Sequence, residues 1–199
     1  MRLVRPVTRL ALLTIGGLVI AVAWPLQVRA QAGQAQATHA HAGTADKDQT
    51  NALVEAVRQA TRRFKDVAAA EAEGYKLMFG CVSGSDSGAM GLHYANLSLV
   101  QDGELDVTRP EIILYEPLPD GRLRMTGADY LVFATDWDKK GVGTPQLMGQ
   151  LLHYFESPNR FGLPAFYTLH VWAWKENPTG TFVNWHSNVS CDGFGRQKP

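Results

Sequence analysis

Four histidines stand in the part of this 199-residue chain that reads as foldable, each in a different segment: His93, His153, His170 and His186. A neutral imidazole offers a lone pair near pH 7, so it serves as a metal ligand, a proton carrier or a polar contact in a pocket. His93 lies in Gly91-Leu92-His93-Tyr94, and His170 in Leu169-His170-Val171-Trp172-Ala173-Trp174. In an extended strand, His170, Trp172 and Trp174 project to one side and Leu169, Val171 and Ala173 to the other. One face is then apolar, and the other carries an imidazole among indole rings. Two chemistries follow. His93, Tyr94, His170, Trp172 and Trp174 can wall an aromatic pocket that binds a small molecule. Alternatively, His93 and His170, joined by His153 or by a carboxylate (Glu116 or Glu111), make a transition-metal site of three histidines or of two histidines and one carboxylate. Metal ligands sit near 2 Å from their ion, so histidines more than about 10 Å apart exclude a shared site.

Other polar clusters are weaker. Ser85-Asp86-Ser87-Gly88 is similar to the Asp-Ser-Gly around the nucleophile of trypsin-like proteases, but those enzymes place their histidine upstream within a double β-barrel. Here the upstream histidines, His39 and His41, fall in an Ala/Gln/Gly/Thr-rich stretch without apolar periodicity. The glycines at 80, 84, 88 and 91 mark a loop that needs permissive backbone angles. Asp136 and Asp138 flank Trp137 without a second carboxylate pair, so acid–base hydrolysis finds no support.

The elements that would position these side chains begin with one helix. Leu53, Val57, Ala60, Phe64 and Val67 share a helical face, with Asp48 or Thr50 as the cap and Gly74 as the stop. Strands follow at Tyr75 to Phe79, at Glu111 to Glu116, and at Arg122 to Phe133 after the turn Pro119-Asp120-Gly121. Gln146 to Phe155 reads as a short helix. Ala165 to Lys175 is the densest strand, returning through Asn177-Pro178-Thr179-Gly180 into Thr181 to Trp185. The expected fold is α+β, one N-terminal amphipathic helix packed on an antiparallel sheet with a short helical insertion.

The N-terminus reads as an export signal. Arg2, Arg5 and Arg9 precede an apolar run from Leu10 to Trp24, and Val28-Arg29-Ala30 offers a cleavage site before Gln31. The expected organisation is a signal peptide over 1–30, a flexible leader over 31–48 and a single domain over 49–199. Loss of Arg2, Arg5, Arg9 and Arg29 leaves 15 basic against 19 acidic residues, a formal charge of −4 on 169 residues. That balance lacks the footprint of a nucleic-acid or anionic-membrane binder. A secreted or periplasmic location is expected. Two lone cysteines in an oxidising compartment, Cys81 and Cys191, are expected to pair. Neither has the CxxC or thiolate-stabilising neighbour that a redox role requires, so the bridge is read as structural.

Several blocks together carry a resemblance. They are Cys81-Val82-Ser83, Gly88-Ala89-Met90-Gly91-Leu92-His93-Tyr94, Leu114-Tyr115-Glu116-Pro117, Leu169-His170-Val171-Trp172-Ala173-Trp174, Asn177-Pro178-Thr179-Gly180-Thr181-Phe182 and Val189-Ser190-Cys191. The chain thereby resembles a family of small exported bacterial proteins. The resemblance implies export but no activity, and no catalytic residue carries over from it. Trp185-His186-Ser187 stands where that pattern has Trp-Asn-Pro, which leaves His93 and His170 ahead of His186 as site residues. The reading is therefore an exported small-molecule-binding module, with a metalloprotein or a structural envelope protein as the alternatives.

Overall fold

The structure is a computed structural model that describes residues 31–84 and 86–195, with side chains described from Asp46. The expected signal peptide lies outside the described residues, as do the side chains of His39 and His41. The chain divides into two compact units, Met1–Ala40 and His41–Pro199, and the sheet belongs entirely to the second. Among the described residues no helix is long and apolar enough to cross a membrane.

The fold is α+β. Helix α1 covers Gln31–Thr61, so its backbone is already helical at Asp48 and Thr50, the residues expected to cap it. The apolar face works as the spacing predicts. Leu53 and Val57 are buried against Ala128, Tyr130, Leu169 and Val171 of the sheet. After Thr61 the helix tightens into a single 3-10 turn, Arg62–Lys65, and Asp66 turns extended. The Asp66 side chain then accepts from the Ala68 backbone N–H and starts helix α2, Val67–Ala72. Gly74, at φ +91°, ends it.

Six strands form one antiparallel sheet: β1 (Lys76–Ser83), β2 (Ala89–Ala95), β3 (Ile112–Pro117), β4 (Leu123–Phe133), then β8 (Phe166–Val171) and β7 (His153–Phe155) at the far edge. Short helices α3 (Leu97–Val100) and α4 (Ala134–Trp137) follow β2 and β4, and the two-residue strands β5 (Gln146–Leu147) and β6 (Gln150–Leu151) form a separate hairpin. Residues 146–155, expected as a helix, are thus β5, β6 and β7. Met148 at φ +47° and Gly149 at φ +89° reverse the chain there, and two left-handed residues are incompatible with a continuous right-handed helix. The dense strand is also shorter than expected. Beyond Val171 the Trp172 N–H donates to Thr181 O and the Trp174 N–H to Thr126 O, so the ladder ends. Thr181 to Trp185 forms no strand.

The sheet curls because three of its strands carry extra residues. Phe79 and Gly80 are unpaired between Met78 and Cys81 of β1, and Met90 is skipped in β2. Thr126 is skipped in β4 where Leu114 pairs Gly127 and Tyr115 pairs Met125. Each bulge bends its strand and adds local twist. Gly127 permits a close approach, since a Cβ there would lie 2.1 Å from Val171 O. The β2, β3 and β4 positions are almost all buried, so both faces are covered. α1 and the Phe64–Tyr75–Tyr115 cluster cover the convex side. The other face packs Ile112, Leu114, Leu131 and Phe166 under a loop carrying Phe161 and Leu163. Cys81 of β1 is bonded to Cys191, their Cα atoms 5.7 Å apart, so the segment around Cys191 is stapled to the sheet edge as expected.

Candidate metal centre

Strand parity decides which side chains meet. On β2, Leu92 and Tyr94 point to the convex core and His93 to the other face; on β8, Leu169 and Val171 do the same and leave His170 beside Thr168. Asp129 of β4 is the direct cross-strand partner of His170. In a flat sheet β2 and β8, three strands apart, would hold His93 and His170 about 14 Å from each other. The curl brings their ring centroids to 5.7 Å at a steep angle. One ligand atom from each of His93, Asp129 and His170 lies within 4.8 Å of the others, all three residues buried.

The cluster is poorly satisfied internally. His93 Nδ1 and both ring nitrogens of His170 are buried without a hydrogen-bond partner among the described residues. His170 Nδ1 stands 3.4 Å from Asp129 Oδ1, too far and too oblique for a good hydrogen bond. Asp129 Oδ1 instead accepts from the Thr168 hydroxyl. Burial pushes the His93 imidazole down to about 4, with His170 beside it adding to the effect. Burial pushes His170 down to about 3, with His153 contributing. Burial also raises the Asp129 carboxyl to about 6, against the opposing hydrogen bond from Thr168. At neutral pH both imidazoles are therefore uncharged and Asp129 is ionised. The 3.4 Å contact is then not an ion pair, and among the described residues no lysine or arginine pairs with this carboxylate. Metal coordination requires these protonation states: neutral imidazole and ionised carboxylate.

The three side chains open onto a cavity walled by Phe79, Ile112, Leu131, Phe155, Phe161 and Phe166, with room of about 30 Å³ for the centres of water-sized spheres. One water needs roughly 10–15 Å³ by that measure, so the cavity holds an ion with one or two small ligands. Donor atoms around an ion at about 2.1 Å lie roughly 3.0–3.4 Å apart. The donor atoms, within 4.8 Å of one another, therefore need to approach by less than about 2 Å through side-chain rotation.

The remaining candidates lie elsewhere. His153, opposite Thr168 on the edge strand β7, is exposed and outside the cluster. Glu116 is buried but engaged, 2.5 Å from Arg124 and 2.8 Å from Lys175. Glu111 is buried and accepts from the Leu131 N–H. Tyr94 packs edge-on against Tyr115 in the convex core. Trp172 donates to Val183 O and meets the His186 ring at 4.8 Å, while Trp174 donates to Thr61 Oγ1. Both tryptophans border a separate open groove along α1, and the Trp172 ring also lies 6.2 Å from that of His170, centroid to centroid. Asp129 is the member of the cluster that sequence reasoning missed. No family model, curated protein or solved structure matches this chain, so the functional reading rests on the site.

Proposed function

We propose that this protein is an exported metal-binding protein that holds a divalent first-row transition ion at His93, Asp129 and His170. One observation carries the reading: His93 and His170 each bring a buried, unpartnered ring nitrogen beside a buried carboxylate. Buried polar atoms nearly always find partners, and orphaned nitrogens on two neighbouring rings beside one carboxylate call for a missing one. Two imidazoles and a carboxylate suit zinc, iron, copper, nickel or cobalt rather than calcium or magnesium, which prefer all-oxygen shells. Three protein ligands leave positions open toward the cavity, the arrangement of a reactive or ligand-binding centre rather than a closed structural one. A drug-sized organic ligand occupies some 300–1,000 Å³, which favours the ion over an organic small molecule as the first occupant. Export is supported by the signal-like first 30 residues together with the Cys81–Cys191 bridge, since disulfides persist outside the reducing cytosol.

Elemental analysis of the purified mature protein tests this reading. The measurement uses a His39→Ala, His41→Ala background so that the N-terminal pair contributes nothing. One transition ion per chain is expected, lost on Asp129→Ala and on His170→Ala. Metal-replete protein without stoichiometric metal, or a His93→Ala/Asp129→Ala/His170→Ala variant that keeps it, would refute the assignment.

A further inference from the structure

We propose that the ion at this centre takes a small, weakly hydrated monoanion as its exogenous ligand, admitted from solvent past Phe79. The inference rests on the metal-binding reading and adds the class of ligand. Charge is the first argument. Two neutral imidazoles and one carboxylate around a divalent ion leave a net charge of +1. Among the described residues that line the cavity, Asp129 is the only carboxylate, and the rest of the wall is largely phenylalanine, leucine, isoleucine and methionine. An uncompensated charge in such surroundings is strongly unfavourable, and a bound monoanion removes it.

Size and wall chemistry narrow the class. Once an ion is in place, a space of about 30 Å³ leaves room for a ligand of two or three heavy atoms. Phe155, Phe161 and Phe166 present no donors to the far end of that ligand. Sulfate and phosphate, which need several donors to replace their hydration, are disfavoured; azide-like, linear and poorly hydrated anions fit. Access is the third argument. Phe79 is the exposed member of the wall, at 47% relative exposure. It sits in the β1 bulge at φ +63°, a backbone region that bulky side chains rarely adopt. Its ring meets Phe161 at 5.5 Å between centroids, so it stands between solvent and the cavity.

The test loads the protein with cobalt(II) and titrates it with sodium azide, following visible absorption, with sodium sulfate in parallel. A saturable spectral change at one azide per cobalt is expected, with none from sulfate. Phe79→Ala should raise the azide association rate by about tenfold, most of the effect being on access. Failure to take up cobalt would overturn the metal centre and this inference together. Cobalt loading without an azide response, or an equal response to sulfate, would overturn this inference alone.

Discussion

Asp129 combines three roles that single substitutions can separate: it supplies the negative charge, it is the hydrogen-bond acceptor for Thr168, and it is the cross-strand neighbour of His170. Asp129→Asn keeps size and the Thr168 contact but removes the charge, so transition-metal affinity should fall by more than about 100-fold in chelator competition. Thr168→Val removes only the contact that orients the carboxylate and should cost about 10–100-fold. His93 and His170 were legible from residue type alone. Asp129 was not, because an aspartate alternating with Ala128 and Tyr130 looks like the solvent-facing side of a half-buried strand. Only the packing of both sheet faces turns that position inward. Glu111 is a second buried carboxyl, and burial raises it to about 8. Its folded pKa exceeds its unfolded one, so its contribution to stability is complete below about 4.5 and disappears as pH rises through 8. His93 and His170 are shifted the other way. Their contribution is present above about 6.5 and is lost as pH falls toward 4 and 3. The two effects oppose each other between pH 9 and pH 5, so on lowering the pH over that range Glu111→Gln should lose on the order of a few kcal/mol of unfolding free energy relative to the wild type, measured by urea titration at both pH values.

Between elements, curvature makes the site. Bulges at Phe79-Gly80, Met90 and Thr126 bend three strands, and only with that bend do β2 and β8 present their histidines to one point. Gly127→Ala places a methyl against the Val171 carbonyl with no flexible neighbour to yield. The variant should lose about 3 kcal/mol or more in thermal or urea unfolding, and any folded fraction should bind less metal because β4 and β8 are pushed apart. Helix α1 was legible from its apolar spacing, and Leu53 and Val57 sit where that spacing puts them. The stretch 146–155 was not, because Met148 and Gly149 adopt left-handed angles that nothing in a short apolar run announces. Strand β2 was hidden for a related reason. Gly88 and Gly91, which suggest a loop, are the residues that let β2 pass within 2.1 Å of His186 O and 2.4 Å of Tyr115 O, measured to a built Cβ.

At the scale of the whole molecule, the covalent link and the proposed ion would act on the same sheet. The Cys81–Cys191 bridge closes a loop with a sequence separation of 110. Chain entropy assigns about 4–5 kcal/mol to a loop of that length, so a Cys81→Ser/Cys191→Ser variant should unfold at markedly lower urea than the oxidised wild type. Metal binding adds to stability by mass action. A free ion concentration of about a thousand times the dissociation constant contributes about 4 kcal/mol, visible as a raised melting temperature that chelation reverses. That increment should vanish in Asp129→Asn while the disulfide effect persists, since the two act through different parts of the chain.

Composition and local pattern, by themselves, determined the pairing of the only two cysteines, the amphipathic helix and the presence of an antiparallel sheet. These depend on short-range spacing and on charge, which a linear chain displays directly. Which carboxylate joins the two histidines was decided by tertiary structure alone. The answer depends on strand register, on bulges that shift parity, and on the curl that reduces a separation of about 14 Å to 5.7 Å between rings. Those are properties of paired strands, and no single segment contains them.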